Sequence, residues 1–335
     1  MRRNVLITGG CGSIGTSIVQ FLQARKDIDR ITVFDNSEQG LFALEQELGQ
    51  TAAEVDLVCG DVRNRDRLRT AMKGHDYVVH TAALKQVPMT ESNPHAAVQT
   101  NVQGTRNVIE AATESDVEAV LTVSTDKAVS PASVMGASKL LAERVTIVAD
   151  QRSGPRGPRF GCVRLGNVIG SDGSVVDVFT KQIENGGPLT VTDPDMTRFA
   201  MSKAEAASFI TDRAINQKGG VIEAPKMESV RLSDLTEAVV EEYTGPDVSI
   251  GELDIEIVGP RPGERNHEYL VGPTEVPRTT VNDDRYTIHA PTTEINASND
   301  LPEAGVISHN EEFISKTEII ALIENDEVAP ERLVV

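Results

Sequence analysis

The sequence predicts an α/β protein with a Rossmann-like, doubly wound parallel sheet and a smaller, interleaved C-terminal lobe. Short β-branched runs alternate with amphipathic stretches over the first half of the 335 residues, which is typical of a parallel sheet covered by helices on both faces. The first such run leads into a glycine-rich turn that opens a helix. After about residue 170, glycine and proline divide the chain into shorter elements, which indicates a separate lobe.

The alternating elements define a Rossmann domain over residues 1–170. Strands are predicted at residues 4–8, 30–35, 55–60, 77–82, 119–124 and 160–165. Helices are predicted at residues 17–25, 96–115 and 137–150.

The remaining chain predicts an interleaved substrate-binding lobe, residues 171–300, and a tail, residues 301–335. Helical periodicity continues at residues 203–216 and 232–243, and a run at residues 221–224 is expected to return one strand to the sheet. Residues 273–300 are polar and poorly periodic, so they predict a loop with at most short strands. The tail could form one amphipathic helix around residues 313–323.

The charge of the chain bears on its partners. With 32 basic and 51 acidic residues the net charge is −19, so a phosphate-backbone footprint for nucleic acid is not expected. Residues 221–335 alone carry 25 acidic and 8 basic side chains, and arginine outnumbers lysine by 22 to 10. An acidic surface of this kind is compatible with a halophilic source.

Hydropathy and cysteine content predict a cytoplasmic protein. No run approaches 18 apolar residues, so neither a membrane span nor a signal peptide is expected. Three scattered cysteines, Cys11, Cys59 and Cys162, do not predict a disulfide framework or a metal site.

The glycine-rich turn follows the first strand and reads Thr-Gly-Gly-Cys-Gly-Ser-Ile-Gly. Gly9 permits a tight turn, Gly12 lets the backbone approach a pyrophosphate, and Gly15 allows close packing of helix on sheet. The N–H groups of the following helix can then bind phosphate. We therefore predict a dinucleotide site that includes Gly9, Gly12, Ser13, Ile14 and Gly15.

Acidic residues at the next two strand ends extend this site. Asp35 lies 20 residues after Gly15, where a carboxylate binds the ribose 2′-hydroxyl. Because Asp35 would repel a 2′-phosphate, NAD is favoured over NADP. Asp61 and Val62 follow the third strand and could reach the adenine, although a solvated strand end would explain them equally well.

The end of the fourth strand offers small residues beside a lysine. Ala82 and Ala83 would let the backbone lie against a flat ring, and Lys85 follows at the edge of the sheet where ligands bind. Lys85 could also be an ordinary surface charge. His80 is interpreted as a packing residue of the core.

The end of the fifth strand carries a candidate acid–base pair. Asp126 and Lys127 stand side by side there, and no packing reason explains them. Adjacent opposite charges in a closing cleft can be tuned toward an acid and a base that work near neutral pH. Met135 and Lys139 are four residues apart, so they share one helix face. The alternative is a surface ion pair beside an ordinary helix lysine.

Several segments together resemble one protein family. The segments are Asp-Asn-Ser-Glu (35–38), Ala-Ala-Leu-Lys-Gln-Val-Pro (82–88), Glu-Ser-Asn-Pro (91–94), Thr-Asn-Val (100–102), Ser-Thr-Asp-Lys-Ala (124–128), Arg-Leu-Gly-Asn-Val (164–168), Asp-Pro-Asp-Met-Thr-Arg-Phe (193–199) and Arg-Pro-Gly-Glu-Arg (261–265). The chain resembles an extended short-chain dehydrogenase/reductase. Within that superfamily it is similar, over about residues 5–291, to the CapD-like polysaccharide biosynthesis proteins, the UDP-N-acetylglucosamine 4,6-dehydratases.

The resemblance implies a reaction in three stages. NAD takes hydride from C4 of the sugar, a base removes the C5 proton while water leaves from C6, and hydride returns to C6. It implies that Lys127 is the base, Asp126 the acid for the C6 hydroxyl, Thr125 a partner of the 4-hydroxyl, and Lys139 a partner of the nicotinamide ribose. To act as a base Lys127 must be neutral, so we expect its pKa to be lowered by burial or by the charge of Lys139 or NAD.

Two departures from the superfamily stand out. Met135 occupies the position of the usual catalytic tyrosine, and a thioether cannot exchange a proton, so the acceptor of the 4-hydroxyl proton stays open, with Asp126 as first candidate. At position 135 the chain resembles the retaining, membrane-associated branch of the family, some of whose members also carry methionine there. The chain starts at the first Rossmann strand and therefore resembles the soluble short form.

The resemblance also implies a substrate site. Its residues would be Lys85, Asn101, Asn167, Arg198, Arg261 and Glu264. Asn167 would bind the diphosphate with the two arginines as charge partners, and Lys85 and Asn101 would lie near the sugar. Either arginine could instead be a plain surface residue.

Two other functions remain open. A nucleotide-sugar epimerase acting at C4 or C2 would use the same fold without losing water, and Met135 would suit a catalytically silent NAD-sensing regulator. The sequence does not choose between UDP and GDP sugars, or between retention and inversion at C5. Relatives associate through helices such as 96–115 and 137–150, so a homo-oligomer is expected.

Overall fold

A nine-stranded sheet organises the computed structural model, which describes residues 3–48, 53–244, 254–293 and 301–324. The strands are β1 (Arg3–Thr8), β2 (Ile28–Asp35), β3 (Glu54–Cys59), β4 (Tyr77–His80), β5 (Ala119–Thr125), β6 (Arg159–Leu165), β7 (Asn167–Val168), β8 (Leu189–Val191), β9 (Thr197–Met201), β10 (Val221–Pro225), β11 (Glu228–Arg231), β12 (Ile255–Ile257), β13 (Tyr269–Val271), β14 (Thr279–Val281), β15 (Arg285–His289) and β16 (Val306–Ile307).

Helices cover this sheet and build the second lobe. They are α1 (Ser13–Gln23), α2 (Glu38–Glu47), α3 (Arg65–Ala71), α4 (Val87–Ser92), α5 (Pro94–Ala97), α6 (Thr105–Thr113), α7 (Val134–Ser153), α8 (Val175–Glu184), α9 (Lys203–Asn216), α10 (Leu232–Thr244) and α11 (Lys316–Glu324). A π-helical segment, Val98–Gly104, joins α5 to α6, and a 3₁₀ turn, Asp126–Ala128, follows β5.

The strand order is β14-β15-β10-β6-β5-β4-β1-β2-β3. The seven strands from β10 to β3 are parallel, which confirms the Rossmann-like fold class. Val5, Leu6 and Ile7 of β1 are all buried, as expected of a central parallel strand that has helices on both faces. The strand order reverses at β1, between β4 and β2, and ligands bind at such a switch point beyond the carboxyl ends of the strands.

Most predicted elements exist, with shifted ends. The predicted helix over residues 203–216 has the bounds of α9, and the strand expected near residues 221–224 is β10, parallel to β6. Helix α1 starts at Ser13, four residues before the predicted start, because Gly12 serves as its N-cap. Helix α11 starts at Lys316, and the tail beyond residue 324 lies outside the described residues.

The described part of the segment 273–300, expected to be a loop with at most short strands in the second lobe, contributes two short strands to the main sheet. β15 pairs antiparallel with β10, and β14 pairs with β15, so the prediction that residues 273–300 belong wholly to the lobe is wrong. Tyr286 and Ile288 of β15 are buried and alternate with polar residues, which is the period of a half-buried strand. Two apolar residues among polar neighbours are too short a pattern to predict a strand of the main sheet.

The second lobe has a core of its own. A three-stranded sheet, β11-β9-β7, and the pair β12–β8 pack with α8, α10 and α11, whereas the buried residues of the pair β13–β16 join the core of the main sheet. The buried side chains of this core include Phe179, Met196, Val230, Leu235 and Ile319. Among the helices of the described ranges, none has the length and apolar content that crossing a membrane requires.

Candidate active site

A cleft of about 570 Å³ opens at the carboxyl ends of β1, β2, β3 and β4. Its lining includes ten of the predicted cofactor residues, Gly9, Gly12, Ser13, Ile14, Gly15, Asp35, Asp61, Val62, Ala82 and Ala83, and it also includes Lys85. The parallel strands bring these residues together from four separate loops. The eleventh predicted cofactor residue, Lys139, lies at the neighbouring strand end.

The glycines of the turn make close backbone approaches possible. Gly9 has φ +70°, and a Cβ there would stand 2.6 Å from the Cα of Ala82. A Cβ on Gly15 would stand 2.3 Å from the carbonyl oxygen of Gly9. Gly12, the N-cap of α1, has no side chain to bond the first helical N–H groups, so these groups can bind an anion. This arrangement fits the pyrophosphate of a dinucleotide.

Asp35 is held in place by the backbone. One carboxylate oxygen accepts the N–H of Cys11 at 3.0 Å, and the other accepts the N–H of Ser37 at 2.9 Å. Two charge-assisted hydrogen bonds fix the carboxylate at the cleft wall, where a ribose hydroxyl is predicted to bind.

Asp61 is paired with Arg63, which the sequence interpretation had not considered. The Arg63 guanidinium donates to both carboxylate oxygens of Asp61, and the pKa of Asp61 is lowered mainly by these hydrogen bonds. Arg63 itself lines the cleft, so this end of the site presents both charges.

At the end of β5 the predicted acid–base pair forms one hydrogen-bonded group. An oxygen of Asp126, Oδ1, accepts from Thr125 Oγ1 at 2.8 Å and from Lys127 Nζ at 3.0 Å. Asp126 is 0% exposed, and its second oxygen, Oδ2, is buried and has no hydrogen-bond partner among the described residues. A buried carboxylate oxygen without a partner is costly, and such groups are common at functional sites.

The expected lowering of the Lys127 pKa is wrong. Burial alone would lower it, but the carboxylates of Asp126 and Glu268 outweigh burial and raise the pKa of Lys127 above its ordinary value. The charge of Lys139 is not among the causes of this shift. With these neighbours Lys127 is an ammonium at neutral pH, and its side chain is 28% exposed.

Glu268 is a member of this site that the sequence interpretation missed. Its Oε1 lies 3.9 Å from Lys127 Nζ, and the residue is 3% exposed. The sequence shows a glutamate directly before the short strand β13. Nothing in the sequence places that strand beside the turn after β5, because Lys127 and Glu268 are 141 positions apart.

Helix α7 brings two further predicted residues to the strand end. Lys139 donates from Nζ to the carbonyl oxygen of Val123 at 2.6 Å, and burial lowers its pKa to about 8. Met135 is buried one turn earlier. Gly136 allows the helix to approach, since a Cβ there would stand 2.2 Å from the carbonyl oxygen of Lys127.

The predicted diphosphate residues lie next to this group. Asn167 accepts from Lys127 Nζ at 3.0 Å through its amide oxygen. Arg198 pairs with Glu264 at 3.2 Å, and the other oxygen of Glu264 accepts the backbone N–H of Arg261 at 3.0 Å. The structure thus brings these residues together, with Glu264 already bonded to both predicted charge partners.

Asn101 is engaged by hydrogen bonds inside the protein. It is 1% exposed, and its amide bonds the backbone N–H and carbonyl of Leu84 and the hydroxyl of Ser138. The donors and the acceptor of the Asn101 amide are engaged inside the protein. Asn101 therefore supports the loop that carries Lys85. His80 is buried between the hydroxyls of Thr8 and Thr105, which confirms a packing role.

The fold and the cleft define a Rossmann-type protein of the extended short-chain dehydrogenase/reductase class. Residues 5–290 match the family described as "Polysaccharide biosynthesis protein", and the chain belongs to this family, as the motifs predict.

Three curated relatives illustrate the range of functions in the family. An "Uncharacterized membrane protein" of Methanocaldococcus jannaschii is 45% identical over 288 residues, covering 86% of each chain. A UDP-N-acetylglucosamine 4,6-dehydratase (inverting) of Campylobacter jejuni is 34% identical over 90% of this chain and 86% of its own. A UDP-glucose 4-epimerase of Rickettsia rickettsii is 36% identical over 85% of this chain and 82% of its own. Sequence identity alone therefore does not distinguish dehydration from epimerisation.

Solved structures agree with the fold. The structure of Pen from Bacillus thuringiensis has a TM-score of 0.89 and 38% identity, covering 97% of this chain and 98% of its own. A dTDP-glucose 4,6-dehydratase from Streptomyces venezuelae, crystallised with NAD, has a TM-score of 0.67 and 21% identity over 78% of this chain and 86% of its own.

Proposed function

We propose that this chain is an NAD-dependent nucleotide-sugar 4,6-dehydratase whose substrate is UDP-N-acetylglucosamine. The observation that carries the proposal is the Asp126–Lys127 pair, which is hydrogen-bonded at the carboxyl end of β5, next to the end of β4 that lines the dinucleotide cleft. A dehydratase needs both an acid and a base at adjacent carbons, and this pair supplies one of each.

The chemistry that bound NAD would supply is hydride transfer, from C4 of the sugar at the start and back to C6 at the end. Gly9, Gly12 and Gly15 would hold the pyrophosphate of NAD, and Asp35 would bind its adenosine ribose. Lys139 would bind the nicotinamide ribose. Its short bond to the Val123 carbonyl fixes its ammonium at the strand end.

The protons move through the residues at the end of β5. Thr125 orients the 4-hydroxyl, and Asp126 takes its proton, which the thioether of Met135 cannot do. Lys127, once neutral, removes the C5 proton, and Asp126 then gives its own proton to the departing C6 hydroxyl. Asp126 thus serves in turn as base and acid, so that water leaves without a proton drawn from solvent.

The diphosphate of the sugar nucleotide would bind Asn167, Arg198 and Arg261. Glu264 holds Arg198 and the Arg261 backbone in the unliganded protein, so a diphosphate would compete with a carboxylate for the Arg198 guanidinium. Because arginine binds both groups in the same bidentate geometry, the exchange needs no rearrangement of the backbone.

Epimerisation is the second candidate function, and the Rickettsia relative favours it. An epimerase has no need for an acid aimed at C6, which the Asp126–Lys127 pair provides. We therefore place dehydration first.

The test is product analysis with purified protein, NAD and UDP-N-acetylglucosamine. We expect a product lighter by one water with a new methyl signal, and no product from Lys127→Ala, which should still bind NAD. Lys73→Ala, an exposed lysine before β4, is the matched control and should retain activity. A product of unchanged mass would establish the epimerase, and NAD binding without any product would favour the silent regulator.

A further inference from the structure

The mechanism above needs a neutral Lys127, whereas the unliganded site holds it as an ammonium. In the described part of the chain, two carboxylates lie within 4 Å of this ammonium, those of Asp126 and Glu268. Asp126 is occupied by Thr125 and Lys127 and has its own role with the 4-hydroxyl. Glu268 has no role in the dehydration described so far, although its carboxylate is buried within 3.9 Å of Lys127 Nζ.

Glu268 is fixed in place by the second lobe. Its backbone N–H donates to Ser308 Oγ at 3.1 Å, and Ser308 in turn bonds Thr197 of β9. The strand that begins at the next residue, β13, pairs with β16. The position of this carboxylate therefore comes from elements outside the Rossmann domain, which close over the end of β5.

The charged groups that act on Glu268 come from three places. Lys127 and Asp126 belong to the turn after β5, Arg198 to β9, and Arg265 to the loop before β13. Burial and Asp126 raise the pKa of Glu268, while Lys127 and the two arginines oppose this, and the net direction is upward. A carboxylate in such surroundings accepts a proton more readily than one in water.

We propose that Glu268 takes a proton from the Lys127 ammonium and so generates the neutral amine that removes the C5 proton. This inference rests on the dehydratase proposed above. One N–H bond of Lys127 breaks and one O–H bond forms on Glu268, so the net charge of the site does not change. No other reactant is required.

The environment favours this transfer when substrate fills the site. Exclusion of water penalises two separate charges more than a neutral amine beside a neutral acid. The two atoms must approach by about 1 Å to reach hydrogen-bond distance, which rotation of either long side chain can supply. After C5 is deprotonated, Lys127 is again an ammonium, and Glu268 holds the first proton until the C5 carbon is reprotonated.

A fixed-charge role for Glu268 predicts the opposite effect of mutation. If Glu268 acted only as a negative charge, Glu268→Gln would lower the pKa of Lys127 and make the neutral amine more abundant. If Glu268 is the proton acceptor, the same substitution leaves Lys127 protonated and slows the reaction. The sign of the change in rate therefore separates the two roles.

The experiment compares pH–rate profiles of wild type, Glu268→Gln and Glu268→Asp with NAD and UDP-N-acetylglucosamine. We expect Glu268→Gln to be slower by about 100-fold at pH 7, the usual contribution of one acid–base group, with its rate still rising at alkaline pH. Glu268→Asp should recover part of the rate, and NAD binding should be unchanged. A Glu268→Gln enzyme that is as fast as wild type, or slower by one constant factor at every pH, would overturn the proposal, as would inactivity of both variants.

An infrared titration of the unliganded protein gives a second readout that needs no substrate. We expect a protonated-carboxyl band whose pKa lies above that of an ordinary glutamate and which is lost in Glu268→Gln. Glu223→Gln, a buried carboxylate on β10 that pairs with Arg213 and Arg285, is the matched control and should keep both this band and the pH–rate profile. If wild type forms no dehydration product, the proposed function fails, and the band still decides whether Glu268 accepts protons. Absence of the band would overturn the role of Glu268 as proton acceptor and would leave the proposed dehydratase function untouched.

Discussion

Lys139 shows how burial alone changes the chemistry of a single residue. Its side chain is buried beneath the cleft, and its pKa falls from 10.5 to about 8 because the charged form loses its hydration. At neutral pH the residue is therefore still an ammonium, as a ribose partner requires, but close to losing its charge.

This shift predicts a pH dependence of stability. Between about pH 8 and 10.5 the unfolded chain holds the Lys139 proton and the folded chain does not, so stability rises with pH across that window, by up to about 3 kcal/mol. Lys139→Met lacks this contribution. Urea unfolding of both proteins at several pH values should show that the free energy of unfolding of wild type, relative to that of Lys139→Met, increases as the pH rises above 8. Parallel curves would contradict the shift.

At the residue scale the sequence predicted which side chains meet but not the charge they carry. The glycine turn and Asp35 were predictable because their roles depend on local spacing. The charge of Lys127 was not, since it depends on Glu268, which tertiary packing alone brings close. For Asn101 the residue type was a poor guide, because an amide can support a loop as well as bind a sugar.

At the scale of elements, the approach of α7 to the turn after β5 sets the geometry of the site. A Cβ on Gly136 would stand 2.2 Å from the carbonyl oxygen of Lys127, so Gly136→Ala should push the helix and the turn apart. We expect kcat to fall by at least about tenfold, because small misplacements of catalytic groups are costly, while NAD binding persists. Gly187→Ala, at a position with open space around it, is the control. Unchanged kcat in Gly136→Ala would show that the contact is not critical.

A buried ion network ties β6 to α7 and to the chain beyond β13. Arg164 is 0% exposed and pairs with Glu143 and Glu275, and it donates to the carbonyl of Leu270, two residues after Glu268. An arginine within a predicted central strand signals such a network, but its partners are not readable from the sequence.

Breaking this network should lower the free energy of unfolding strongly. Arg164→Met leaves two buried carboxylates without their partner, so we expect the free energy of unfolding to fall by about 3–5 kcal/mol. Arg106→Met, which breaks the exposed pair with Glu110, should cost less than about 1 kcal/mol. Urea unfolding measures both. A loss of similar size in the two variants would contradict the role assigned to Arg164.

At the scale of the whole molecule, the parallel part of the main sheet was predictable, and its antiparallel edge, β14 and β15, was not. Six parallel strands follow from alternating apolar runs, because consecutive βαβ units pack in a restricted set of ways. Short strands were allowed in residues 273–300, but the place of β14 and β15 in the main sheet was not predicted, because each is short, lies among polar residues and is placed by the pairing of β15 with β10 and of β14 with β15. Assembly into a homo-oligomer stays a prediction.

The net charge of −19 has a global consequence. Like charges repel within the folded protein, and salt screens them over about 10 Å at 0.1 M and less at higher concentrations. We expect both the unfolding temperature and the activity to rise from low salt to molar KCl. Sorbitol at equal osmolarity is the control. Values that stay flat or fall with KCl would contradict the prediction of a halophilic surface.

The most direct test of the acid–base pair is the fate of the C5 hydrogen. Wild-type protein, NAD and UDP-N-acetylglucosamine are incubated in heavy water, and the product is examined by mass spectrometry and proton NMR. We expect loss of one water, a new methyl group and deuterium at C5, with neither product nor deuterium uptake in Lys127→Ala. A dehydrated product that keeps the original hydrogen at C5, or deuterium uptake that persists in Lys127→Ala, would contradict the assignment of Lys127 as the base.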